Sequence, residues 1–258
     1  MRVLLPPSEA KTTGGRGRPV SARPDEGPLA VTRAALLDAL DRLLAGSVDA
    51  ATSALHLPPA AVADALAANR AVRQAPTTPA LRRYTGVVYA GLDVPALEPA
   101  AQRLAGRSTL VFSGLWGVVR GDEPVPAYRV PASAALPGVG VVGTYWRPVL
   151  DEHLPALLGR GPIVDLRSSD YAAMWRPRGE LARRTITVRV LSPLPRGGHG
   201  VVSYNSKFAK GRLAAALFTR AANGAAPRSA QDVVAAWTDA TGERGELSGD
   251  TAVVLYTG

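Results

Sequence analysis

The sequence predicts one domain of the mixed α/β (α+β) class. Segments with the apolar spacing of helices alternate with short apolar strands along the whole chain, and no repeat or linker interrupts them. With 258 residues the chain is long enough for a substantial core. Its 47% hydrophobic and 20% charged residues are ordinary for a globular protein. We therefore treat residues 1–258 as a single domain.

The first half of the chain is predicted to hold buried strands between amphipathic helices. Residues 2–5 form an apolar strand that ends at two prolines, and residues 109–112 form a second buried strand. Leucines recur at helical spacing in residues 31–44, and residues 95–105 form a shorter helix. Residues 84–92 contain β-branched and aromatic residues between glycines, which predicts a short strand.

Two stretches of the first half are predicted to be connecting structure. Residues 13–27 are rich in Gly, Pro and Arg and indicate a loop. Residues 48–72 contain two short helical pieces separated by His56-Leu57-Pro58-Pro59. Two short helices around a tight turn can dock on a DNA backbone as a helix–hairpin–helix, but the Gly-x-Gly hairpin of that motif is absent here. Both a plain helical corner and a helix–hairpin–helix-like element stay open.

The second half continues the alternation. Strands are predicted at residues 162–166, 185–191 and 251–256, helices at 144–158 and 229–241, and a short helix opening at residues 168–171. Pro148 is placed near the first turn of the 144–158 helix and Pro155 near a kink at its end.

Residues 201–220 form the segment around which we expect the chain to be organised. Residues 200–204 read as a short apolar strand, with a turn at Asn205-Ser206. Leu213, Ala214 and Leu217 then recur at the spacing of one helix face.

Cations cluster at this predicted junction of strand and helix. Only three of the 30 Lys and Arg residues are lysines, Lys11, Lys207 and Lys210, and two of them lie here with Arg212. Lysine and arginine differ where a compact or titratable charge is needed. Helix starts favour anions as well. We therefore predict an anion site.

The charge of the chain is concentrated in the same region. The net charge is +9, and residues 160–220 hold twelve Lys and Arg against three acidic residues, a surplus of nine. Such a surplus indicates a polyanionic partner, nucleic acid first and an anionic membrane surface second. No helix has a Trp/Phe-rich face opposite a cationic face, so we expect no membrane partner.

Several classes of site are excluded by composition. The chain has no cysteine, which excludes disulfides, thiolate metal sites and cysteine nucleophiles. Its three histidines lie far apart without ligand spacing, so we expect neither a metal site nor a cofactor. No apolar run approaches 18 residues, and the first residues are too short for a signal sequence. A cytoplasmic protein is the expectation.

Two glycine patterns carry different predictions. Gly114 and Gly117 follow the 109–112 strand and indicate a close backbone approach. Residues 138–143 match G-x-G-x-x-G, and Asp165 lies 22 residues further on, as in dinucleotide-binding folds. Residues 130–137 make a poor central strand, however, so this context argues against nucleotide binding by the loop.

Polar residues at strand ends predict the site residues of two alternative functions. For nucleic-acid or anion binding the candidates are Lys11, Arg120, Arg129, Arg167, Arg183, Lys207, Lys210 and Arg212. The affinity for duplex or structured DNA would then fall by ~10³ or more from low to moderate salt. For an enzyme acting on a small anionic or nucleotide-like ligand the catalytic candidates are Lys11, Ser113, Tyr128, Asp165 and Lys207. A desolvated lysine beside another cation acts as base or nucleophile, and Arg120 or Arg129 would clamp the anion.

Six ordered sequence blocks resemble one known family. They are LLPPSEAKT, YTGVVYAGL, FSGLWGVVRGDEPVPAYR, YW-x-x-VL, VDLRSSDYAAMW and VVSYNSKFAKGRLAAALF. Together they resemble the YaaA family of bacterial peroxide-stress-resistance proteins.

The resemblance implies a cantaloupe-like α/β fold and a cytoplasmic, monomeric protein without an established cofactor. It also implies DNA binding through a positively charged cleft, with residues 48–72 as the helix–hairpin–helix-like element. The implied role is to limit iron-driven oxidative damage.

Overall fold

A computed structural model describes residues 1–22 and 25–258. Its strands are β1 (Arg2–Leu5), β2 (Thr78–Pro79), β3 (Thr109–Ser113), β4 (Gly117–Arg120), β5 (Pro124–Val125), β6 (Ala135–Leu136), β7 (Gly140–Val141), β8 (Ile163–Asp165), β9 (Thr185–Pro193), β10 (His199–Gly200), β11 (Gly245–Leu247) and β12 (Ala252–Tyr256). Its helices are α1 (Ala30–Leu44), α2 (Val48–Ala54), α3 (Val62–Ala71), α4 (Ala80–Arg83), α5 (Val87–Leu92), α6 (Pro99–Ser108), α7 (Val142–Leu158), α8 (Ser169–Ala172), α9 (Gly179–Arg183), α10 (Ser203–Ala222) and α11 (Ala230–Thr241).

The central sheet has the strand order β11-β12-β9-β8-β1-β3-β4, and β10 pairs antiparallel with the end of β9. The five inner strands are parallel, whereas β4 and β11 run antiparallel at the two edges. Because parallel strands need crossover connections, helices separate β1 from β3 and β8 from β12 along the chain. The predicted α/β class is confirmed.

The buried side chains form one hydrophobic core around this sheet. Helices α5, α6 and α11 pack against the long helix α10, and α1 packs against α2, α3 and α7. Trp146 and Trp237 are completely buried and belong to these two helix groups. None of the described helices has the length and apolarity to cross a membrane.

Most predicted elements are confirmed, with shifted ends. The first helix begins at Ala30, and two short helices, α2 and α3, occupy residues 48–72. Helix α11 begins after Ser229, which caps it in a capping box with Asp232. Pro148 lies in the interior of α7 rather than its first turn, because the helix begins at Val142. The described part of the 13–27 loop contains a short 3-10 turn, and residues 23 and 24 lie outside the described residues.

The predicted strand at residues 84–92 is wrong. Residues Val87–Leu92 form helix α5 instead, which crosses α10 with its backbone in contact. A Cβ atom on Gly211 would lie 2.0 Å from the carbonyl oxygen of Val88, and one on Gly91 would lie 2.2 Å from that of Phe208. The glycines therefore allow a close helix crossing, and this tertiary packing overrides the β propensity of the valines.

The predicted strand at residues 200–204 and the turn at Asn205-Ser206 are also wrong. Only His199–Gly200 are extended, and α10 begins at Ser203. The backbone N–H of Ser206 already donates to the carbonyl of Val202, so Asn205 and Ser206 lie in the first helical turns. Lys207 and Lys210 consequently project from the body of a helix and not from a strand-to-helix junction.

The G-x-G-x-x-G segment forms a hairpin of β6 and β7 and then enters α7. Gly138 and Gly140 have φ of 75° and 76°, which only glycine adopts without strain. The segment does not follow a strand of the central sheet, in agreement with the context derived from the sequence.

Candidate active site at the carboxyl edge of the sheet

Three parallel strands deliver polar residues to the same edge of the sheet. Leu5 of β1 pairs in register with Val111 of β3, and Leu4 pairs with Asp165 of β8. From β1 the chain goes on to β3 on one side, whereas from β8 it goes on to β9 on the other. Such a switch point opens a crevice beyond the carboxyl ends of the strands, where ligands bind in open α/β sheets.

Lys11 lies on the loop that follows β1. Its Nζ donates a hydrogen bond of 2.7 Å to the carbonyl oxygen of Ser8 and lies 4.3 Å from the ring centroid of Tyr128 and 5.2 Å from that of Tyr84. Burial first, together with Arg129 and Arg83 and opposed by Glu9, lowers the pKa of the Lys11 amine to about 7. Lys11 is therefore a titratable amine near neutral pH.

A chain of three hydroxyl groups adjoins this amine. The Tyr128 hydroxyl lies 2.5 Å from Ser113 Oγ and 2.7 Å from the Tyr84 hydroxyl. Ser113 Oγ also accepts a 3.0 Å hydrogen bond from the backbone N–H of Trp116, which fixes it at the end of β3. Burial raises the pKa of Tyr84 and of Tyr128, so both stay protonated at neutral pH and can donate.

Arg129 supplies a guanidinium next in sequence to Tyr128. Asn69, which is completely buried in α3, holds the Arg129 backbone: it accepts a 2.7 Å hydrogen bond from the backbone N–H and donates one of 3.0 Å to the carbonyl. The guanidinium forms an ion pair with Glu9, whose side chain is 68% exposed. Arg129 is thus held in place, whereas its partner carboxylate is largely in solvent.

Asp165, Arg167 and Lys210 form a second cluster along the same edge. The Arg167 guanidinium donates to both carboxylate oxygens of Asp165, at 2.9 and 2.6 Å. Lys210 Nζ donates a 3.1 Å hydrogen bond to the carbonyl of Arg167, and burial lowers its pKa while Asp165 opposes the shift. Because both of its carboxylate oxygens accept hydrogen bonds from Arg167, Asp165 anchors that side chain.

Tyr171 links the two clusters. Its carbonyl accepts a 3.2 Å hydrogen bond from Arg167, and burial, followed by Tyr128, raises the pKa of its hydroxyl. The guanidinium carbon of Arg167 also lies 4.2 Å from the ring centroid of Phe112 on β3. Both clusters therefore lie at the carboxyl ends of the parallel strands.

The remaining predicted site residues lie elsewhere. Arg120 is paired with Leu110 near the start of β3 and binds Asp122 at 2.9 Å. It therefore lies toward the amino end of β3, away from the carboxyl ends that carry the site. Arg183 is exposed at the end of α9, just before β9 begins.

Arg212 packs on Trp237 and binds Glu243 at 3.6 Å. Lys207 is exposed on α10 without an ion pair among the described residues. The cations of residues 160–220 are thus divided between different parts of the molecule.

Sequence reasoning missed four residues of this site: Glu9, Asn69, Arg83 and Tyr84. Glu9 and Tyr84 stand in sequence blocks that were already singled out, so their position was a usable signal. Arg83 is one of many arginines, and nothing in the sequence marks it as buried. Among the described residues, no group of three or more acidic or histidine side chains is placed to hold a metal ion.

Comparison with known proteins identifies the family of this chain. The family model described as peroxide stress protein YaaA matches residues 1–233. A UPF0246 protein of Streptomyces coelicolor is 43% identical over 240 residues, which cover 93% of this chain and 90% of the relative. A UPF0246 protein of Corynebacterium efficiens is 37% identical over 225 residues, 85% of each chain. The chain that carries Lys11 at this sheet edge therefore belongs to the YaaA family of peroxide stress proteins.

Proposed function

We propose that the protein is an enzyme that acts on a small anionic substrate at the carboxyl edge of its sheet. The observation that carries this proposal is the amine of Lys11, which lies against two tyrosine rings with a pKa of about 7. Lysine amines poised near neutral pH serve as bases or nucleophiles in enzymes. We assign Lys11 the role of base or nucleophile in the reaction.

A site that only holds anions would be built differently. A phosphate or carboxylate clamp gains from permanent charges, which arginine supplies at any physiological pH. A lysine that is half neutral at pH 7 is a weaker clamp but carries a reactive lone pair. The combination of a titratable Lys11 with a permanently charged Arg129 divides chemistry and binding between two residues.

The other groups at this edge have roles that follow from their contacts. Arg129 binds the anionic group of the substrate, since Asn69 holds its backbone and its partner Glu9 is exposed. Tyr128 and Ser113 supply hydroxyl protons to the reacting atoms. Asp165 orients Arg167, which holds α8 and Tyr171 in position.

The experiment is competitive acylation of the three lysines with acetic anhydride as a function of pH, read by peptide mass spectrometry. Lys11 should become reactive with a midpoint near pH 7, and small anions such as phosphate, pyrophosphate or a nucleoside monophosphate should protect it. Lys207, exposed and outside the site, is the internal control that anions should leave unprotected. A Lys11 that reacts only at high pH and that no anion protects would remove the basis of the proposal.

DNA binding is the second candidate function, and the net charge of +9 favours it. Exposed cations such as Lys207 and Arg183 would contact phosphates in a sequence-independent way, and α2 and α3 would supply the helix–hairpin–helix-like contact. A cytoplasmic, monomeric protein bound in this way would fit a role in limiting iron-driven damage during peroxide stress.

This second candidate is tested with a fluorescent DNA duplex titrated at low and moderate salt. Binding that weakens steeply with salt, and that Lys207→Glu weakens further, would support it. Arg120→Glu is the matched charge reversal at the other edge and measures the general effect of charge. No binding at low salt would contradict it and leave the enzyme proposal untouched.

A further inference from the structure

We propose that Lys11 forms an imine with the carbonyl carbon of a small oxo acid, whose carboxylate takes the place of Glu9 on Arg129. This inference rests on the proposed enzyme function and narrows its substrate to molecules that carry a carbonyl group beside a carboxylate. It assigns Lys11 the role of nucleophile rather than base.

The hydrogen bonds of Lys11 leave its lone pair unused. The Nζ atom donates to the backbone carbonyl of Ser8 at 2.7 Å and has a longer contact of 3.5 Å with that of Glu9. Both acceptors are neutral, and no side-chain carboxylate of the described residues hydrogen-bonds the amine. A neutral amine has two N–H groups and one lone pair, so two carbonyl acceptors satisfy the N–H groups and the lone pair remains for an electrophilic carbon.

The amine is also set among groups that hold it in a defined direction. The rings of Tyr84 and Tyr128 lie at 5.2 and 4.3 Å from Nζ, and the backbone of Lys11 is bridged to that of Tyr84. A pKa of about 7 leaves a large fraction of the amine neutral at neutral pH. Position and protonation state therefore both suit attack on a carbonyl group.

The Glu9–Arg129 ion pair marks where the carboxylate of the ligand binds. Glu9 is 68% exposed and Arg129 22%, and an ion pair that is open to solvent contributes little stability. An incoming carboxylate can therefore replace Glu9 without a large cost, while Asn69 holds the Arg129 backbone. Arg129 also follows Tyr128, whose ring lies 4.3 Å from the Lys11 Nζ, and acts electrostatically on the amine, which favours a ligand with its carboxylate close to its carbonyl.

The step is balanced without any further reactant. The lone pair of Lys11 forms a C–N bond, the carbonyl π bond opens, and one proton passes from the nitrogen to the oxygen to give a neutral carbinolamine. A second proton, taken from solvent, then lets the C–O bond break with loss of water, and Lys11 is left as a protonated imine. The hydroxyl chain of Tyr128, Ser113 and Tyr84 relays the protons, because burial keeps both tyrosines protonated.

The test is reductive trapping on the full chain. Glyoxylate or pyruvate is added near neutral pH with sodium cyanoborohydride, which reduces an imine to a stable secondary amine, and the digest is read by mass spectrometry. We expect the adduct on Lys11 to exceed that on the exposed Lys207 by roughly tenfold, because only a neutral, oriented amine reacts fast. Lys207 reports from the same wild-type sample, so the comparison does not depend on the folding of a variant.

Two variants and an uncharged ligand examine the carboxylate contact. Arg129→Met should reduce trapping of glyoxylate by a larger factor than trapping of acetaldehyde, because loss of Arg129 raises the pKa of Lys11 for both ligands but removes the carboxylate contact only for glyoxylate. Glu9→Gln should likewise increase trapping of glyoxylate more than trapping of acetaldehyde. Equal labelling of Lys11 and Lys207 would overturn the imine. If phosphate still protects Lys11 from acylation in that case, the proposed enzyme function stands and only the nucleophilic role fails; if it does not, both fail.

Discussion

The Nζ atom of Lys11 lies 4.3 Å from the ring centroid of Tyr128. Two opposing effects act on the pKa of the Lys11 amine. The face of the ring stabilises an ammonium ion by about 0.5–2 kcal/mol, whereas burial of a lysine can lower its pKa by up to about 3–5 units. Burial is the larger effect, and the pKa of Lys11 falls to about 7. The aromatic ring therefore positions the amine more than it protonates it.

The first prediction concerns the pH dependence of stability. The pKa of Lys11 falls from 10.5 in the unfolded chain to about 7 in the folded one, so between these values the unfolded state binds more protons. The free energy of unfolding should therefore rise with pH in this window, by up to about 1.4 kcal/mol per pH unit from this one group. Lys11→Met should remove that slope, measured by urea unfolding at several pH values. Lys207→Met is the control, and a slope unchanged in Lys11→Met would contradict the shifted pKa.

The second prediction concerns the ion pair of Glu9 and Arg129. Glu9→Gln should tighten the binding of glyoxylate or phosphate by about fivefold, because the ligand no longer displaces a carboxylate from Arg129. Arg129→Met should weaken it by about tenfold or more, through loss of a charge-assisted bidentate contact. Isothermal titration calorimetry measures both, with Arg120→Met as the control at the far edge of the sheet. Equal affinities in all variants would place the anion elsewhere.

The third prediction concerns Arg83, which is completely buried. Its five N–H groups donate to the carbonyls of Thr12, Gly14, Pro76 and Val125 and to Thr12 Oγ1, at 2.6 to 3.3 Å. Arg83→Met should lower the free energy of unfolding by about 3 kcal/mol or more, because it leaves the buried Val125 carbonyl and three partly buried carbonyls without this donor. Arg82→Met, at the exposed neighbouring position, should change it by less than about 0.5 kcal/mol. Urea unfolding distinguishes the two.

The fourth prediction concerns the crossing of α5 and α10. Gly211→Ala would ordinarily stabilise a helix by up to about 1 kcal/mol, but its Cβ would lie 2.0 Å from the carbonyl oxygen of Val88. The helices must separate, and we expect a net loss of about 1–3 kcal/mol. Ser206→Ala in the same helix lacks this overlap and should be neutral or slightly stabilising. A Gly211→Ala protein with an unchanged or higher melting temperature would contradict the close crossing.

The sequence predicted the elements whose pattern is set locally. The strands at residues 2–5 and 109–112, the leucine-rich α1 and the capped α11 could all be derived from spacing and capping residues. Helix α5 could not, because its conformation depends on the contact of Gly91 with α10, more than 100 residues further along the chain. β-Branched residues in a short stretch favour a strand until such packing is known.

The candidate site could be predicted in its parts and not in its arrangement. Lys11, Ser113 and Asp165 were recognisable as polar residues at strand ends, and the sheet order brings these ends together. The ion pair of Glu9 with Arg129 joins residues 120 positions apart and leaves no signal in spacing. Arg120 and Arg183 lie away from the site because of the directions of the strands beside them. A count of charged residues along the sequence carries no information on strand direction.

Arg83 has one more effect on the crevice. Its hydrogen-bond acceptors are carbonyl and hydroxyl oxygens, and no ion pair neutralises its charge among the described residues. The guanidinium therefore keeps a constant positive electrostatic potential in the protein interior, and it acts on Lys11 whether or not a ligand is bound. Arg83, which hydrogen-bonds the loop after β1, thus also favours negatively charged ligands in the crevice. Folding and electrostatic selection therefore depend on the same side chain.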